Sequence, residues 1–146
     1  MKNTVPYQKY KDLKEKYRTC GIKETLPVVP HAQELTESLK KLGYTIILLS
    51  KRPVDAYPTL FKQTVNWLDN NKIVYDGILF DANKHTRIID KVPHLKFMCE
   101  DHRYTANLIA KFGYRVFLRN TKYNVGQTHK NVIRINDLLE ILNWVK

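Results

Sequence analysis

Three stretches of the 146-residue chain carry side chains suited to chemistry on an anion. The first is Ser50-Lys51-Arg52, which directly follows the apolar run "YTIILL". A hydroxyl and the next backbone amides can donate to a phosphate, and two cations add charge. The second is Lys84, at the start of a short helical pattern in "NKHTR" (83–87). The third is Glu100-Asp101, at the end of the apolar run "LKFMC". Two adjacent acids there repel each other and are poorly solvated unless a cation or hydrogen bonds compensate, so a metal site is one reading of them. Each has a plainer reading. Ser50 would sit in an ordinary strand-to-helix turn punctuated by Pro53. Lys84 would be one more solvated lysine. Asp101 would cap the helix "HRYTANLIAKFG", where the helix dipole favours acids. The five histidines, His31, His85, His94, His102 and His129, show no ligand spacing.

These residues need a scaffold, and the hydrophobic pattern predicts one. Residues 8–18 read as a short polar helix, and 21–30 as a connector broken by Pro27 and Pro30. In "HAQELTESLKKLG" (31–43), Ala32, Leu35, Leu39 and Leu42 recur at helical spacing and Gly43 is placed as a C-terminal cap. "YTIILLS" (44–50) reads as a strand buried on both faces, as parallel strands are. Leu60, Phe61, Thr64, Val65 and Leu68 mark one face of the next helix. Strand 76–80, a brief helix over 84–92, strand 95–99, helix 102–112 and strand 114–119 follow. Residues 135–145 read as a last helix, N-capped by Asn136 or Asp137. Strands alternating with helices indicate an α/β fold with a mainly parallel sheet covered on both faces. In such sheets the ligand site lies beyond the carboxyl ends of the strands. Ser50 and Glu100-Asp101 stand at those ends.

Composition narrows the field. The length suits one domain, and no apolar stretch nears the roughly 20 residues of a membrane span. No apolar signal core opens the chain, so a cytoplasmic location and no membrane partner are expected. Cys20 and Cys99 lack the spacing of a zinc site and are expected as thiols. The net charge of +11 suits a phosphate-bearing partner, a nucleotide or nucleic acid. The basic residues are scattered, however, and the same charge would serve as a solvated surface.

A strand ending in Ser, then a lone Lys, then a strand ending in paired acids resembles the haloacid dehalogenase (HAD) phosphohydrolase superfamily. The stretches "LLSKRP", "TVNWLDNNKIVYD", "CEDHRYTA" and "TKYN" resemble its 5′-nucleotidase-like branch. The likeness runs from about Thr25 to the C-terminus, and the order and spacing of the motifs carry it. It implies a Rossmann-like core over 25–146 and a remnant of a helical cap over 1–24. Ser50 would hydrogen-bond the transferred phosphoryl group, Lys84 would neutralise charge beside it, and Lys51 and Arg52 would contact substrate. Glu100 and Asp101 would hold Mg²⁺. The implied reaction is attack by an aspartate and hydrolysis of the resulting aspartyl phosphate.

The resemblance breaks at one place. The family's first motif, an apolar strand ending in Asp-x-Asp, should precede Ser50. The acids there are Asp12, Glu15, Glu24, Glu34 and Glu37, and none follows a buried strand. The central first strand of the sheet is therefore expected to be missing from this chain. Mg²⁺ binding by the chain alone is expected to be weak or absent. Two functions fit. One is a phosphohydrolase core completed in trans by a partner chain supplying the strand and nucleophile. The other is a catalytically inactive HAD-like domain that binds nucleic acid or serves an assembly.

Overall fold

In the computed structural model, the described residues are 7–19, 22–81, 88, 90–92 and 94–145. They form five α-helices and two small sheets whose strands are all parallel. The helices are α1 (Tyr7–Thr19), α2 (Ala32–Lys41), α3 (Thr59–Asn70), α4 (Arg103–Lys111) and α5 (Leu142–Val145). The strands are β1 (Ile47–Ser50), β2 (Gly77–Phe80), β3 (Met98–Glu100), β4 (Val116–Arg119) and β5 (Val132–Ile135). The α/β expectation holds: all strand pairs are parallel, and α4, which follows β3, packs back onto β3, β4 and β5.

β4 shows why the larger sheet forms. It pairs with β3 on one edge and β5 on the other, with Met98 opposite Val116 and Val132 opposite Val116. Successive side chains point to opposite faces. Val116 and Leu118 join a core with Met98, Ala106 and Ile109, where α4 covers the sheet. Phe117 joins a second core with Leu35, Leu39, Ile135 and Ile141, under α2 and the C-terminal segment. Both faces of β4 are therefore dry.

β1 pairs only with β2 among the described residues, and no ladder joins β1 to β3. The two strands nonetheless share both cores. Leu49 packs against the first, while Tyr44, Ile46 and Phe97 pack against the second. Residues preceding β1 (Tyr44), β3 (Phe97), β4 (Arg115) and β5 (Asn131) line one open cavity. These four strands thus start from one edge of the layer, and their carboxyl ends lie toward the other.

Several local expectations change. β1 was expected to be fully buried, but Ile47 is 37% exposed and Leu48, Leu49 and Ser50 are half-buried, because one edge of the strand has no partner strand among the described residues. In α3 the buried face is Leu60, Gln63, Thr64 and Leu68. Phe61 is turned outward, its ring 5.7 Å from that of Phe80. The expected helix over 135–145 gives way to the end of β5, a 3-10 turn (Leu138–Ile141) and α5. Asp137 is its N-cap, in a capping box with Glu140. Gly43 does end α2: at φ +93 its amide returns to Lys40 and that of Tyr44 to Leu39.

Candidate functional site

The carboxyl end of β1 is a tight turn. Ser50 Oγ accepts the amide of Arg52 at 3.2 Å, leaving the hydroxyl hydrogen to donate elsewhere. Arg52 Nη1 donates to Thr64 Oγ1 at 2.8 Å, and Thr64 Oγ1 in turn donates to Leu60 O. Arg52 is therefore braced against α3 rather than loose in solvent. Lys51 is exposed beside it. A hydroxyl, an anchored guanidinium and an ammonium at one strand end can cradle an anion.

At the end of β3, Glu100 is 5% exposed. A buried carboxylate needs hydrogen bonds to offset lost hydration. Glu100 Oε1 accepts the amides of Asp101 at 3.3 Å and His102 at 3.2 Å, just ahead of α4. The helix cap differs from the plainer reading of the sequence. His102, not Asp101, is the N-cap of α4, its Nδ1 accepting from the Thr105 amide. That leaves Asp101 turned to solvent, with Oδ2 accepting from Tyr123 Oη at 2.5 Å. This bond, together with partial burial, raises the Tyr123 phenol above its ordinary range.

The loop after β4 supplies residues that the sequence did not single out. Asn124 is 1% exposed. Its Nδ2 donates to Asp101 O at 2.8 Å and Arg119 O at 2.7 Å, and its Oδ1 accepts the Thr121 amide at 3.1 Å. Arg134, on β5, donates to Asn120 Oδ1, Asn124 O and Gly126 O. One buried amide thus ties the end of β3 to the end of β4, and one arginine clamps the loop that carries Tyr123. Within the family-like segment "TKYN", Asn124 is what positions Asp101. His31 likewise looked bland, but it holds Asp137 at 2.6 Å from a left-handed backbone, φ +69. The Asp137 carboxyl lies below its ordinary value, chiefly through the Leu139 amide and then His31.

Ser50, Lys51, Arg52, Glu100 and Asp101 thus occupy strand ends on one edge of the layer. Lys84 lies outside the described residues. No group of three His, Cys, Asp or Glu side chains gathers among the described residues to hold a metal. Glu100 and Asp101 offer hard oxygen donors of the kind Mg²⁺ takes, but one oxygen of each is engaged as described above. They fit as part of a ligand set, to be completed by water or a further carboxylate.

No known family model matches the chain. Over 124 residues it is 32% identical to a Bacillus subtilis (strain 168) protein named "Putative nucleotidase YqfW". The match takes in 84% of this chain and 61% of that protein, so the chain spans about three fifths of the length of the relative. Among the described residues, no helix is long and apolar enough to cross a membrane.

Proposed function

We propose that the chain is the larger part of a HAD-type phosphohydrolase acting on nucleotides, with its nucleophile on a strand supplied by another polypeptide segment. The break between β1 and β3 carries this reading. The two strands start from the same edge and share both cores, yet neither pairs with the other among the described residues. A parallel strand in that slot would satisfy backbone groups on both edges and cover Ile47. Its carboxyl end would emerge between Ser50 and Glu100-Asp101, where an attacking carboxylate is needed. The nucleotidase name of the longer relative supports the same reaction class.

In this reading each residue has one task. Ser50 donates to a phosphoryl oxygen. Arg52, held by Thr64, and Lys51 set the substrate anion, and Lys84 offsets its charge. Glu100 and Asp101, with a carboxylate from the added strand, hold Mg²⁺, which when bound supplies further neutralisation of phosphoryl charge. Asn124 keeps Asp101 in position. The net charge of +11 favours a second reading, a non-catalytic domain that binds nucleic acid.

Co-expression with a segment ending in Asp-x-Asp separates the two. The chain alone with Mg²⁺ should not hydrolyse deoxynucleoside monophosphates. The complemented chain should, and Ser50→Ala should lower turnover by about a hundredfold. Turnover by the chain alone would overturn the proposal. A segment that binds without conferring turnover would leave the non-catalytic reading in its place.

A further inference from the structure

The cavity at the opposite edge, where the strands begin, is unrelated to the site above. Its volume is about 590 Å³, the size range of sites for drug-sized ligands and too large for a bare phosphate. Its lining includes Lys96, Phe97, Tyr114, Arg115 and Trp144, and no acidic residue among the described residues. Lys96 and Arg115 are exposed, as expected for cations at the rim of an anion site.

The aromatic floor is built rather than incidental. Tyr44, Phe97, Phe117 and Trp144 pack successively edge to face, with ring centroids 5.5, 5.4 and 6.4 Å apart. The series runs from fully buried Phe117 to Trp144, which is 52% exposed. Tyr44 Oη donates to Val145 O at 3.0 Å and fixes the end of α5 against the start of β1. The Arg115 guanidinium lies 5.9 Å from the Trp144 ring centroid. A half-exposed indole with a guanidinium over it offers planar surfaces for stacking, and two cations stand beside them with no carboxylate among the described lining residues.

From this we infer that the cavity is a second binding site, for a nucleobase carrying an adjoining phosphate. The base stacks on the Trp144–Arg115 surface, and the phosphate meets Lys96 and Arg115. Stacking accepts any base because every base has a π-face. The ligand is therefore a class, available either as a free nucleotide or within a single strand. The scattered positive charge would follow a strand beyond the cavity. This site is independent of the hydrolase reading, since it needs neither the slot nor the residues at the carboxyl ends.

The test is a titration of the full chain with AMP and, separately, with an oligothymidylate of about 12 nucleotides, a length within the usual range of single-strand sites. Tryptophan emission reports binding. The only other tryptophan, Trp67, is held away by its bond to Leu26 O at 2.7 Å. Quenching is expected in the native chain and should vanish in Trp144→Phe. The double change Lys96→Glu and Arg115→Glu should weaken affinity about tenfold or more. For the oligomer, the milder pair Lys96→Ala and Arg115→Ala should lower the log–log salt slope by about 0.7, the value for one lost single-strand phosphate contact. Equal quenching by AMP identifies a nucleotide site, and quenching by the oligomer only identifies a strand site. No quenching by either ligand, quenching that survives Trp144→Phe, or a charge reversal that leaves affinity within about twofold would overturn the inference.

Discussion

In β4, Val116, Phe117 and Leu118 are fully buried; in β1, Ile47 is 37% exposed and Leu48 and Leu49 are half-buried. Both strands are short apolar runs, and both are followed by polar residues that the candidate site uses. They differ in their neighbours. β4 has β3 and β5 on its two edges and helices over both faces, whereas β1 has β2 alone among the described residues. The comparison teaches that apolar composition states a need for cover, and strand pairing decides whether the need is met.

The largest expected difference is in stability. Phe117→Ala should cost about 3–5 kcal/mol, through lost burial and a cavity between two cores. Ile47→Ala should cost about 1 kcal/mol or less, since much of that side chain already meets water. Urea denaturation of both variants checks this, and equal losses would mean that β1 is as well covered as β4. Next is local opening. Amides of Val116–Leu118 should exchange about a hundredfold more slowly than those of Ile47–Leu49, because the β1 ladder rests on a two-stranded sheet. Hydrogen exchange resolved by residue measures it, and similar protection would remove the contrast.

Asn124→Ala comes third. It withdraws donors from Asp101 O and Arg119 O and an acceptor from the Thr121 amide, all at a buried position. A loss of about 1–3 kcal/mol is expected, with the 120–126 loop released first. Protease nicking of that loop would reveal it, and unchanged resistance would show that Arg134 holds the loop unaided.

The smallest effect concerns how the β1–β2 pair begins. Asp76 accepts the Ile46 amide at 2.7 Å and the Lys40 ammonium at 2.8 and 2.9 Å. These bonds, the amide first, lower the carboxyl below its ordinary value of 3.8. A depressed carboxyl contributes stability that is fully present above the unfolded value and is lost as pH falls through the folded one. Thermal unfolding of the native chain should therefore lose a small increment below about pH 4, which Asp76→Asn removes. The group is exposed, so added salt should shrink the increment as well. A pH dependence that is identical in the variant would show that this contact contributes nothing.

The misread elements have physical reasons. β5 was not expected, and its last residue, Ile135, fell within the expected C-terminal helix, because "VIRI" is only four residues long and carries an arginine. Arg134 earns its place through bonds to carbonyls 8 and 10 residues back along the chain, which local periodicity does not register. Asn124 carried no expected role, because its partners lie 5 and 23 residues away. Asp101 looked like a cap, but His102 sits where the backbone turns into α4 and takes that role. By contrast Gly43, Asp137 and the apolar faces of α2 and α3 were largely legible, since caps and helical stripes are written within a turn or two.

By itself the sequence determined the alternation of strands and helices, the parallel sheet this implies, and the polar residues at the strand ends: Ser50, Lys51, Arg52, Glu100 and Asp101. Those features follow from side-chain period and steric preference over a few residues. Tertiary structure alone decided that β1 and β3 share two cores without sharing a ladder among the described residues. It alone set Tyr123 on Asp101, Arg52 on Thr64, and the Tyr44–Phe97–Phe117–Trp144 series under a cationic rim. Each of these joins residues distant in the chain, and hydrogen bonds and packing at that range form only once the whole layer has assembled.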